Sequence, residues 1–434
     1  MKRLLTHQLI DWQKQETRKP LLLDGARQVG KSYLVEHIFG QAQFRTVHKL
    51  DFLADRTLAT LFEDSLEADA ILAQIEIRFN VGINLQTDLI FFDEVGECQG
   101  AVNSLKYFAE KLPIAYVCAS GSNIGLLGSF PVGKVHLLEL FPFNFEEFLM
   151  ASGKTKLLKA FRRQALQKSV HDQLWAMLLD YYFVGGMPEA VGVWFDAQAS
   201  VNERCRMVKE IHKNLIAGYV RDFGKYSGKI NAQHIESVFL NVPRQLSKNQ
   251  DGSVKRFAFK NIVEKKRRYN DIRDPIAWLE KSKLISKCHP ISSQPTPPLT
   301  TLAKENIFKI FFFDVGLLGY LLEMEYVDQL AQKINYKGYI AENFVQNELR
   351  VSVCYPTYSW EQARSEIEFI IYQGGEVIPV EVKSGSRTRA KSLSAYIARY
   401  APAKTVKLVG AAVGGNDDNR IVWPLYYAQY LRKL

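Results

Sequence analysis

Eight consecutive residues, Gly25-Ala26-Arg27-Gln28-Val29-Gly30-Lys31-Ser32, have the types and spacing to hold a polyphosphate. The glycines let the backbone curl so that successive N–H groups converge on a β-phosphate, and a helix starting behind the loop adds its positive end. Lys31 then reaches the β- and γ-phosphates, Ser32 offers a hydroxyl to Mg²⁺, and Tyr33 follows on the first turn. Arg27 either touches phosphate or braces the loop. Further along, Leu89-Ile90-Phe91-Phe92 runs into Asp93-Glu94. Asp93 is placed to hold metal-bound water and Glu94 to polarise an attacking water. Ser120 closes another apolar run, where it would sense the γ-phosphate, with Ser122 and Asn123 as rivals. These residues predict hydrolysis of ATP with Mg²⁺. Lys31, Glu94 and Ser120 act on the reaction, residues 25–33 and Asp93 hold the nucleotide, and Ser32 and Asp93 serve the metal.

The elements around these residues are legible in outline. Leu21-Leu22-Leu23 is a short apolar strand pattern that meets the glycine loop, and Leu34, Val35 and Ile38 switch to helical spacing after it. Further strands are expected over 45–52, 89–92 and 114–118, with a polar helical stretch over 55–79. Alternating strands and helices predict an α/β fold with a mostly parallel sheet, and ligand at the strands' carboxyl ends. We expect this domain over 1–155. Helical spacing through 157–182 opens a middle region, 156–298, in which short helical segments and the basic run Lys265-Lys266-Arg267-Arg268 suit a small winged-helix-like module. Residues 290–298, rich in Pro, Ser and Thr, read as a linker. In the last domain, 299–434, a helix over 338–349 precedes two β-branched runs, 367–372 and 377–382. Gln373-Gly374-Gly375-Glu376 joins them as a hairpin turn.

Composition sets the outer bounds. A chain of 434 residues with 47% hydrophobic and 24% charged residues is a globular protein of more than one domain. The net charge of +10 favours a polyanionic partner, of which nucleic acid, and DNA first, is the commonest. Cys98, Cys118, Cys205, Cys288 and Cys354 form no CxxC pair, and the eight histidines form no HExxH, so neither a disulfide framework nor a zinc enzyme is expected. His7, Asp11 and Gln13 interrupt any apolar signal core, and Lys309 and Asp314 interrupt the most apolar later stretch. A cytoplasmic protein without a membrane partner is expected.

The segments 25–32, 89–99, 119–127 and 139–149 resemble the prokaryotic AAA+-like P-loop ATPases that carry a carboxyl-terminal domain of unknown function. The likeness continues through 182–191, 308–322, 337–349 and 378–385. The resemblance implies an AAA+-like P-loop domain, and we expect a homo-oligomer in which a neighbouring subunit could supply an arginine finger.

The last domain of that family is similar to PD-(D/E)XK nucleases, whose core is α/β and restriction-endonuclease-like. Glu342 on a helix, Glu368 on a strand and Glu381-Val382-Lys383 on the next are arranged in that manner. Glu381 and Lys383 leave one face of a strand, so the carboxylate could bind Mg²⁺ while the ammonium steadies a phosphate. Glu368 would be a second ligand and Glu342 an outer one. Glutamate at 368, where the nucleases carry aspartate, is one methylene too long for a metal that tolerates little distortion, which argues for weakened or lost cleavage. The plainer alternative is an amphipathic hairpin exposing these charges to water. The basic runs 265–268, with Tyr269, and 387–391 could contact phosphates, Tyr269 by stacking on a base.

Overall fold

Leu21–Asp24 (β1) and Asp88–Asp93 (β3) are buried along their whole length, as strands covered on both faces must be. With Thr46–Asp51 (β2), Tyr116–Gly121 (β4) and His136–Glu139 (β5) they form a five-stranded sheet of order β2-β3-β4-β1-β5. Every pairing in it is parallel. The computed structural model describes residues 1–434 apart from 127, 228, 247–255, 332–336, 353–355, 363–364, 386–390, 412–414 and 418. This sheet belongs to a unit comprising Met1–Phe141 and Lys281–Lys283. Its core packs Leu22, Leu50, Ile90, Phe92 and Val117 against Ile71 and Ile75 of the helix Ala68–Phe79 and Leu105 and Phe108 of the helix Gln99–Lys111. Because β4 is inserted between β1 and β3, the carboxyl ends of these three strands lie side by side. Leu23 pairs with Ser120, and Phe92 with Ala119, which brings Ser120 level with Asp93.

The second unit, Pro142–Glu280 with Leu284–Leu434, holds a helical part and a mixed sheet. Its longest helices are Lys168–Val184, Val201–Ser227 and Lys229–Leu246. The strands are Ile285–Ile291 (β6), Lys309–Phe312 (β7), Thr357–Gln362 (β8), Ser365–Gln373 (β9), Glu376–Lys383 (β10), Thr405–Val409 (β11), Gly415–Asp417 (β12) and Arg420–Pro424 (β13). They run β12-β13-β11-β10-β9-β8-β6-β7. The expected hairpin is β9 and β10, antiparallel, with Gly374 at φ 59° and Gly375 at φ 83° supplying the two left-handed residues of the turn.

The expected linker is different. Pro290 lies inside β6 and pairs with Ser359 of β8, while β7 leaves β6 at Cys288, so the missing proline N–H costs no ladder bond on that side. The sheet therefore begins before residue 298, and the strands β6 and β7 that follow the helix Tyr269–Lys281 extend it instead of forming the wing of a separate module. Among the described residues no helix is long and apolar enough to cross a membrane.

One buried acid adds a pH dependence to this unit's stability. Asn144 caps the helix Phe145–Ala151, and the N–H of Phe145 donates at 2.9 Å to Glu348, which burial pushes up to about 8. The native state thus keeps a proton there that the unfolded chain releases in the ordinary glutamate range. Stability is highest below that range and falls as pH rises from it towards 8. Glu348→Gln keeps the acceptor and removes the titration. Its melting temperature should equal or fall below wild type at pH 5 and exceed it at pH 8.5, as thermal unfolding at both values would show.

Candidate nucleotide site

The loop after β1 curls for two separate reasons. Gln28 (φ 63°) and Gly30 (φ 90°) are left-handed, the alternation that turns backbone N–H groups into one concavity. Gly25 is needed for space, since a Cβ there would lie 2.3 Å from the carbonyl oxygen of Leu140. Lys31 follows the loop at the start of a helix, is only 5% exposed, and donates to the carbonyls of Gly25 at 3.0 Å and Ala26 at 2.9 Å. Burial pulls its ammonium below the ordinary lysine range against the pull of Glu94, Asp24 and Asp93. Arg27 is half-buried and Tyr33 exposed.

Asp93 gathers the rest. It is 2% exposed, and its Oδ1 accepts the hydroxyl of Ser32 at 2.8 Å and that of Ser120 at 2.5 Å. The hydroxyl and carboxylate together are the hard oxygen donors that Mg²⁺ takes. Glu94 comes next with φ 50°, a left-handed conformation uncommon outside glycine, and its N–H also bonds Asp93 Oδ1 at 3.1 Å. Burial raises the Glu94 carboxyl above its ordinary range, Asp93 adds to the rise, and Lys31 and Arg27 oppose it. A base made stronger in this way suits proton abstraction from water. Ser122 and Asn123, the rivals of Ser120, are buried in the next turn.

Two residues carried no signal in the sequence. Lys49, in the middle of β2, places Nζ 3.0 Å from Asp93 Oδ2, 3.1 Å from Glu36 and 3.6 Å from Asp51. Burial pushes its ammonium down, but the bonds to Asp93 and Glu36 outweigh it and the pKa is raised. Arg3 donates to the carbonyls of Val29 at 2.8 Å and Phe141 at 2.6 Å, bracing the loop from outside.

The carboxyl-terminal constellation comes together only in part. Lys383 Nζ lies 2.6 Å from Glu381 and 3.3 Å from Glu368, and Glu368 also accepts the N–H of Val382 at 3.0 Å. Burial and Glu368 push Glu381 up to about 7 against Lys383. Glu342 instead faces the buried Lys309 at 3.9 Å, and Lys309 also bonds Glu366. Among the described residues no group of three or more His, Cys, Asp or Glu side chains is arranged to hold a metal ion. Two lysines thus pair with these carboxylates, Lys309 with Glu342 and Lys383 with Glu368 and Glu381. The side chains of Glu368 and Glu381 are buried, which also excludes the solvent-exposed hairpin. Of the basic runs, 265–268 is described below, while 387–390 lies outside the described residues.

Residues 17–149 match a family model described as an AAA domain. The chain carries an AAA-type P-loop domain. Two further models, each described as a domain of unknown function, match residues 176–328 (DUF8612) and 337–427 (DUF4143). No curated protein matches the chain. Among solved structures, a chain of the "Structure of Drosophila ORC bound to DNA" is similar at 11% identity, covering 74% of this chain and 85% of that one with a TM-score of 0.27. That superposition is too loose to bear on function.

Lys49 generates a prediction. Its bond fixes Asp93 Oδ2 and leaves Oδ1 to the two hydroxyls and the N–H of Glu94. Loss of a hydrogen bond to a charged group is worth about 1.5–3 kcal/mol, so Lys49→Met should lower kcat for ATP roughly 10- to 100-fold. ATP affinity should change little, and Lys49→Arg should recover most of the rate. Steady-state turnover and nucleotide titration of the three proteins check this.

Proposed function

We propose that the chain is an AAA+-like ATPase that hydrolyses ATP with Mg²⁺ and works on DNA. The observation that carries the ATPase reading is the single carboxylate oxygen of Asp93 that receives both Ser32 and Ser120 beside the loop holding Lys31. When bound, Mg·ATP would supply the phosphoanhydride and a cation that spreads its developing charge. The chain's own groups do the rest. Lys31 keeps a positive charge inside the loop, and the Ser32 hydroxyl and Asp93 carboxylate present hard oxygens. Ser120 ties the end of β4 to Asp93, so a shift at the γ-phosphate end moves both strands. Glu94, with its raised carboxyl, accepts the proton of the attacking water.

The DNA reading rests on the net charge of +10. For the carboxyl-terminal domain, one observation favours a binding module over a nuclease. Lys383 occupies the space between Glu368 and Glu381, supplying internally the charge that a divalent ion would bring. The domain would then serve to hold a partner.

Turnover separates these roles. Lys31→Ala should lose ATP binding, whereas Glu94→Gln should bind ATP normally and turn it over about 10²–10⁴-fold more slowly, because only a water-activating carboxylate is gone. DNA should stimulate wild-type turnover. Stimulation by unfolded polypeptide with indifference to DNA would identify a protein-remodelling ATPase instead. In the same reactions, labelled duplex should stay intact with Mg²⁺ or Mn²⁺ for wild type and for Glu368→Asp. Cleavage by either would return the domain to the nucleases.

A further inference from the structure

The turn ahead of the helix Tyr269–Lys281 is a fixed platform for positive charge. Asp271 Oδ2 accepts the N–H of Arg268 at 2.9 Å and of Arg267 at 3.0 Å, and these two bonds hold its carboxyl below the usual aspartate range. Lys266 closes the turn from the other side, its N–H on the carbonyl of Val263 at 3.1 Å and its ammonium on the carbonyl of Asp271 at 3.1 Å. Beneath lies an aromatic base. The ring of Phe259 packs on Tyr269 (5.6 Å between centroids) and on Phe308 (5.7 Å), and Phe257 and Ile262 are buried. Tyr269, which the sequence suggested for base stacking, is half-buried. Its ring is spent on this cluster and its hydroxyl donates to Glu305 at 3.4 Å.

What faces solvent is charge without a matching acid. Glu264 lies beside Lys265 at 3.7 Å and Asp274 beside Arg273 at 3.5 Å, while Asp271 is engaged by backbone. Among the described residues no carboxylate forms an ion pair with the exposed side chains of Arg267 and Arg268, although Arg268 feels the charge of Asp271, and exposed Lys260 stands on the same turn segment. Two adjacent guanidiniums on a backbone that cannot swing lose little freedom on meeting phosphate oxygens, and each can bind them through paired N–H groups.

We propose that this turn is a contact surface for the backbone of duplex DNA, with Arg267 and Arg268 each meeting a phosphate. The choice of duplex follows from the aromatics: single-strand binders expose rings for bases to stack on, and here Phe257 and Phe308 are buried while the half-buried Phe259 and Tyr269 pack on Phe308. Contacts confined to phosphates carry no sequence information, so binding through this surface is sequence-independent. The inference rests on DNA being the partner.

Anisotropy of short fluorescent duplexes across a salt series, with the full-length chain, tests it. Each phosphate contact contributes about 0.9 to the slope of log affinity against log salt, so Arg267→Ala with Arg268→Ala should make that slope shallower by about 1.8. The loss should be equal for unrelated sequences. The charge-preserving pair Arg267→Lys with Arg268→Lys should keep the wild-type slope. So should Lys106→Ala with Lys111→Ala, which removes the same charge from exposed positions elsewhere. Unchanged basal ATP turnover in the double alanine variant reports intact folding. Wild-type binding with an unaltered slope in that variant would overturn this assignment and leave the DNA reading standing. A wild-type chain that binds no duplex, or that binds polyglutamate or acidic vesicles instead, would overturn both.

Discussion

Asp93 has to keep a carboxylate in a place that water barely reaches, and an ionised group so placed is costly unless donors surround it. Each neighbouring element supplies one. The helix after the loop gives the hydroxyl of Ser32, β4 gives that of Ser120, β2 gives the ammonium of Lys49, and the backbone of Glu94 turns its own N–H inward. Removing any donor leaves part of a buried charge unsatisfied, so the strand order is tied to the chemistry. β4 must separate β1 from β3 for a serine at its end to reach the aspartate, and β2 must flank β3 for a lysine on it to reach the other oxygen.

The loop is held by a complementary constraint. Its curvature comes from left-handed Gln28 and Gly30, but its position comes from outside the motif. The carbonyl of Leu140 occupies the space a side chain at Gly25 would need, Leu140 N–H bonds the carbonyl of Asp24 at 2.8 Å, and Arg3 ties Val29 to Phe141. The first glycine of the motif thus serves packing against the chain beyond β5, whereas the second serves conformation. The same residue type was selected at two positions by two different physical requirements.

What could be read in advance follows from the range of the interaction involved. The loop, the strand ending in Asp93-Glu94 and the β9–β10 hairpin are local patterns, in which neighbours in sequence decide the geometry, and they stand where expected. Lys49 was illegible because nothing in Thr46–Asp51 distinguishes a lysine aimed at a buried carboxylate from one aimed at solvent. Its meaning lies in the pairing of β2 with β3. Pro290 misled for a related reason. Its surroundings have linker composition, and only the point at which β7 leaves β6 shows why a proline fits inside a strand. The pairing of Glu342 with Lys309 was equally illegible, because the two are distant in sequence and Lys309 reads as a break in an apolar run.

Two carboxylate–lysine clusters of the chain differ in where the ammonium sits. At Asp93, Lys49 takes Oδ2 and shares its charge with Glu36 and Asp51. Oδ1 is left to neutral donors, two hydroxyls and the N–H of Glu94. At Glu381, Lys383 stands between both carboxylates, and Glu381 is pushed up to about 7 despite it, so a proton competes with any metal near neutral pH. A divalent ion entering there would have to displace an ammonium and a proton together, and then desolvate against the buried positive charge it had dislodged. Similar residue types thus make two different arrangements, decided by which oxygens one ammonium takes.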